Sequence, residues 1–105
     1  MKRIESVNIL GATYSVEFVE KLVSECDGSF RHGFCSPSQR KIEIAMSGED
    51  GKLFPEDVVE DSFFHEVAHA ILGEWCWGDE YENEQLVECL SKNIKHLIKN
   101  NKFEL

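Results

Sequence analysis

Positive charge is scarce: 11 Lys and Arg stand against 20 Asp and Glu, and the 105-residue chain carries a net charge of -9. Such a balance repels phosphate backbones and anionic lipid alike, which argues against a nucleic-acid-binding or membrane-surface role. No apolar run approaches the ~20 residues that a membrane-spanning helix needs. Glu5, Ser6 and Asn8 interrupt the stretch after Met1-Lys2-Arg3 that would have to be the apolar part of an export signal, so a soluble, cytoplasmic protein is expected. Proline is down to 2 residues and low-complexity segments are missing, which excludes the composition of a disordered tail. Closely spaced cysteines are missing too: Cys26, Cys35, Cys76 and Cys89 form no CxxC pair, and buried thiols are expected in place of a disulfide framework or a cysteine-bound zinc.

What remains, 42% hydrophobic and 30% charged residues, suits one globular domain spanning 1–105. The hydrophobic period divides the chain into a strand-rich first half and a helical second half. Val7 and Ile9 alternate with polar neighbours, Gly11 punctuates, and Tyr14, Val16 and Phe18 alternate again, which predicts a β-hairpin. The stretch from Val19 to Cys26 fits either a short helix or a strand end, closed by a turn at Asp27-Gly28. Phe30 to Cys35 and Arg40 to Met46 flank Ser36-Pro37-Ser38 as a second hairpin, with Ile42, Ile44 and Met46 on one face. Ser47 to Lys52 reads as a loop. Pro55, Glu56 and Asp57 suit the start of a helix that Gly73 is placed to stop. A last helix from about Asn83 to Asn100 has Asp79, Glu80, Glu82 and Glu84 around its start and Lys92, Lys95 and Lys99 toward its end, the order that complements the helix dipole. Trp75 and Trp77, between the helices, are expected to cap the core. The fold class is therefore α+β: a small N-terminal antiparallel or mixed β-sheet followed by two helices.

The chemistry is concentrated in His65-Glu66-Val67-Ala68-His69. Residues four apart share a helix face, so both imidazoles can reach one ion, and Glu66 falls about 100° from His65 and about 60° from His69. From Phe63 to Leu72 only these three side chains are polar, which predicts a buried helix. Ionisable groups clustered in a buried sector are costly unless compensated, and a divalent metal compensates them directly. A hydrolytic zinc site generally has three protein ligands, so a third is required. His32 and His96 qualify by type; Glu84, fifteen residues after His69, qualifies by type and by its place at the start of an antiparallel helix.

HEVAH followed by Asn83-Glu84-Gln85-Leu86-Val87-Glu88 resembles the gluzincin group of zinc metallopeptidases, with Glu88 where that group carries Asp. The resemblance implies Glu84 as the third zinc ligand, Glu88 as the outer carboxylate that orients a ligand histidine, and Glu66 as the general base acting on a zinc-bound water. The chain from Gly33 to Asn100 is also similar to the minimal metallopeptidases of bacteriophages and mobile elements related to the ImmA/IrrE family. That similarity implies a minimal zincin, a phage or prophage origin, a bacterial cytoplasm and an intracellular protein or peptide substrate lying extended along an edge strand. Lys41 to Met46 is the candidate for that strand. Tyr81, His32 and Arg31 are the candidates for stabilising the oxyanion. The alternative is a non-enzymatic phage interaction protein with zinc as a structural staple. Glu66 argues against it, since a structural site needs no carboxylate beside the water position. An acidic mimic of nucleic acid would use the charge of -9 and leave HEVAH unexplained.

Overall fold

A computed structural model of the chain describes residues 4–75 and 83–101. The elements run β1 (Ser6–Ile9), β2 (Ala12–Val19), β3 (Leu22–Val23), β4 (Phe30–Arg31), β5 (Gly33–Ser36), β6 (Lys41–Ala45), α1 (Glu56–Trp75) and α2 (Glu84–Lys99). The class is α+β, with a mixed sheet and two helices. The first hairpin forms as expected, pairing Ser6 with Ser15 through Ile9 with Ala12. Its two central residues, Leu10 at φ 51° and Gly11 at φ 88°, both adopt the left-handed conformation that a two-residue hairpin turn requires, and the Gly11 N–H donates to Asn8 Oδ1 at 3.0 Å. The ambiguous stretch after Val19 contains β3, and the strand expected from Phe30 to Cys35 is split at His32 into β4, paired with β3, and β5, paired with β6.

The four-stranded sheet has the order β1-β2-β6-β5, with β6 parallel to β2 and antiparallel to β5. The segment Lys41–Met46 is therefore central, not an edge. Val16 beside Ile42 and Phe18 beside Ile44 bring two alternating apolar rows together on one face, so pairing β2 with β6 extends the buried surface. The free edge on the helix-bearing side is β5, which pairs only with β6 among the described residues.

Helix α1 is covered twice. Val59, Phe63, Val67 and Ala70, spaced three or four apart, pack on Ile9, Tyr14, Val16, Ile42 and Ile44 of the sheet. Ala68 and Leu72, on another face, join Val87 of α2 in a second cluster. Burial on both sides is why the sequence here is apolar nearly all round. Cross-helix partners descend along α2 as they rise along α1: Glu60 meets Lys99 at 3.0 Å, Asp61 meets Lys95, and His65 meets Glu88. The two helices are thus antiparallel, and this register decides which α2 side chains face the histidines. The start of α2 is set by Asn83, whose side chain accepts a hydrogen bond from the Leu86 N–H at 3.1 Å.

Three further expectations are corrected. Gly73 does not stop α1, which runs through Trp75; a glycine inside a helix costs only about 1 kcal/mol relative to alanine, and the next residue is anchored, because Tyr14 Oη donates to Glu74 Oε2 at 2.6 Å. Trp75, at the end of α1, is exposed and does not cap the core, while Trp77 lies outside the described residues. Cys26 and Cys89 are exposed and Cys35 is half-buried, so only Cys35 approaches the buried thiol expected of the four; Cys76 lies outside the described residues. No helix among the described residues is long and apolar enough to cross a membrane.

Tyr14 is fully buried, and burial together with the Glu74 carboxylate raises its hydroxyl well above the ordinary 10.0. The folded state therefore favours the neutral phenol, and this contribution is complete below about pH 10 and disappears as the pH rises further. Tyr14→Phe should lower stability by about 1.5–3 kcal/mol at neutral pH, the range for a hydrogen bond to a charged group. Urea unfolding between pH 7 and 11 checks this: the wild type should lose stability above pH 10 more steeply than the variant.

Candidate metal centre

The helical spacing of HEVAH puts His65 and His69 together, with ring centroids 4.9 Å apart and planes at 67°. Both rings emerge at the margin of the face that meets α2, where Glu84, in the first turn of that helix, reaches across. Glu84 Oε2 lies 3.2 Å from His65 Nε2, and Glu84 Oε1 lies 3.2 Å from His69 Nε2. The ligand atoms of the three residues all fall within 4.8 Å of one another, and this is the one group of such side chains among the described residues that could hold a metal ion. His32 and His96 are not in it. His32 stacks on Phe54 with centroids 4.6 Å apart, and His96 sits 3.0 Å from the Asn100 amide near the far end of α2.

The donor set fits zinc. Two ligand atoms each about 2.1 Å from one tetrahedral ion are separated by about 3.4 Å. Both imidazole–carboxylate separations come within a few tenths of an ångström of that value.

Glu88, one turn along α2 from Glu84, is 2.8 Å from His65 Nδ1. A carboxylate can only accept, so the His65 Nδ1–H donates, and Nε2 is the ring nitrogen that faces Glu84 and His69 and is placed to meet an ion. The extra methylene of Glu88 relative to Asp does not stop it reaching the ring.

Glu66 points elsewhere. It belongs to the sheet-facing row of α1, three residues after Phe63 and four before Ala70, and is only 6% exposed. It is accommodated because Gly33, at the start of the free edge strand, has no side chain: a Cβ there would lie 2.8 Å from both Cγ and Oε2 of Glu66. A residue other than glycine at 33 would displace this carboxylate. Burial pushes Glu66 up to about 7; the nearby His65 opposes the rise, Glu84 adds to it and Arg31 opposes it. The sequence carried a trace of this arrangement in Gly33-Phe34-Cys35, but nothing in the local pattern tied Gly33 to Glu66, which is distant in the chain.

Two hollows open on either side of the cluster. One, of about 560 Å³, extends between β4 and α2 past Val58, Ser62 and Ser91; the other, of about 460 Å³, follows β5 past Phe34 and Cys35 to His69 and Glu84. Burial raises the Cys35 thiol to about 12, with the Glu66 and Glu74 carboxylates adding to the rise, so the cysteine that lines the second hollow is a poor thiolate donor. Of the oxyanion candidates, Arg31 lines both hollows and His32 one, while Tyr81 lies outside the described residues.

The different positions of Glu84 and Glu88 relative to the rings predict different metal losses. Glu84→Ala should be isolated largely zinc-free, whereas Glu88→Ala should keep zinc with affinity lowered by about 10- to 100-fold, the usual effect of removing a carboxylate that orients a ligand. Competitive chelator titration of the two variants measures this, and a Glu88 variant emptier than the Glu84 variant would reverse the assignment.

Compared with protein families, with curated proteins and with solved structures, the chain matches none, and the reading of the cluster rests on its own residues.

Proposed function

We propose that the protein is a zinc-dependent peptidase of minimal zincin type, with His65, His69 and Glu84 as zinc ligands and Glu66 as general base. The observation that carries this reading is the pairing of a three-residue donor set within 4.8 Å with a separate, buried carboxylate that is not part of it. A structural zinc site has use for the first and none for the second. A zinc ion held there supplies a Lewis acid that polarises a carbonyl and lowers the pKa of a water to about 7.

The chain's own residues account for the remainder. Glu66, between the cluster and the edge strand, takes a proton from the attacking water at a carboxylate oxygen as the water oxygen bonds to the carbonyl carbon. It then delivers that proton to the leaving amine nitrogen as the carbon–nitrogen bond breaks. Glu88 holds the His65 ring in one tautomer throughout. The peptide would add in extended form to the free edge of β5, a role moved here from Lys41–Met46 because that segment is central in the sheet. Gly33 at the head of β5 then serves twice, leaving room for Glu66 and letting a peptide backbone approach it closely.

Glu66→Gln should keep one zinc per chain and lose about 10²- to 10⁴-fold in turnover, the range for removing a general base, whereas His65→Ala should lose zinc and activity together. Metal analysis and hydrolysis of reduced, alkylated casein test both variants. Equal zinc loss in the two would contradict the role given to Glu66, and a zinc-loaded wild type that leaves casein intact would contradict the peptidase reading.

A further inference from the structure

Four residues line both hollows beside the metal cluster: Arg31, Gly33, His65 and Glu66. They mark where the two halves of the cleft meet, which is where a bond cleaved between two bound halves of a peptide has to lie. His65, Glu66 and Gly33 already have parts in that position. Arg31, at the end of β4 just before the free edge strand, has none.

Its own partners are few. Arg31 Nη2 donates to Ser24 Oγ at 3.3 Å beside a third hollow that both residues line, the guanidinium charge also acts on the Asp27 carboxylate, and Arg31 makes no ion pair among the described residues. A guanidinium has five N–H donors and stays protonated at any working pH, so donors remain after the bond to Ser24. Ser24 is buried, 5% exposed, and so provides a fixed anchor for the arm. Arg31 and Glu66 line the same two hollows, and the guanidinium charge is the last of the four influences on the Glu66 carboxylate, opposing its rise. The other cations of the cleft are committed or offset: Lys95 is bound to Asp61, Lys92 lies 3.9 Å from Glu88, and both line only the hollow next to α2.

We propose that Arg31 is a catalytic residue whose guanidinium donates hydrogen bonds to the scissile carbonyl oxygen as negative charge develops on it. The assignment rests on the peptidase reading. Arg31 is exposed, and donors that meet charge as it develops act on the transition state more than on the bound substrate, so their loss is read in kcat.

The test compares wild type, Arg31→Gln and Arg31→Lys, all zinc-loaded, with zinc content confirming that each is folded. On reduced, alkylated casein, Arg31→Gln should lose about 10²- to 10³-fold in kcat with KM changed by less than about threefold, and Arg31→Lys should recover part of the loss, since an ammonium supplies charge without the planar fork. Independently of turnover, calorimetry should show binding of N-phosphoryl-leucinamide, a tetrahedral anion, weakened about tenfold or more in Arg31→Gln, while acetohydroxamic acid, which engages the metal, binds both proteins alike. A rise in KM at unchanged kcat, or equal affinity of wild type and Arg31→Gln for the phosphoryl ligand, would overturn the assignment. A zinc-loaded wild type inert toward casein would count against the peptidase reading, and the phosphoryl comparison would still decide Arg31.

Discussion

Glu84 crosses from one helix to within 3.2 Å of both imidazoles on the other, and the organisation of the second half of the chain follows from that contact. The two rings are largely shielded from solvent while the Glu84 side chain stays exposed, and an ion between them would compensate the three groups directly. Bringing them together requires α2 to run antiparallel to α1 in one register, with Val87 buried against Ala68 and Leu72 below the cluster and Lys95 and Lys99 tied to Asp61 and Glu60 beyond it. The exposed ion pairs add at most about 1 kcal/mol each, so the apolar contact sets the stability of the helix pair and the charges set its register.

The same helix has to satisfy the sheet. Helix α1 presents Phe63, Val67 and Ala70 to β2 and β6, and Glu66 stands in that row as its one acid. A buried carboxylate in an apolar row is destabilising on its own, and the sheet accepts it only where Gly33 leaves a gap at the edge. The protein thus keeps the metal donors on the α2 side of α1 and the acid on the sheet side, with the cleft running between them. In the proposed mechanism, that separation leaves Glu66 to act on a water instead of becoming a fourth ligand.

Much of this was legible in the sequence because it is written locally. The four-residue spacing of His65 and His69, the helix expected from about Asn83 and the alternation through Tyr14, Val16 and Phe18 each depend on neighbours within a turn or a strand. The second hairpin was legible for the same reason, through Ile42 and Ile44. What was not legible depends on residues far apart in the chain. The parallel pairing of β2 with β6, which moves the free edge from Lys41–Met46 to β5, leaves no local mark. The anchoring of Glu74 by Tyr14, sixty residues away, carries α1 past Gly73, where local rules would end it. Trp75, Cys26 and Cys89 are exposed for reasons of position in the fold that residue type does not express.

The central claim is that one zinc ion sits between α1 and α2, and locating that ion tests it most directly. Crystals of the protein purified with zinc in the medium, measured on both sides of the zinc absorption edge, should give one anomalous peak per chain, within bonding distance of His65 Nε2, His69 Nε2 and the Glu84 carboxylate, with Glu66 outside that distance. A peak at another set of side chains, or protein that crystallises in the same fold with no peak at this cluster under saturating zinc, would contradict the account.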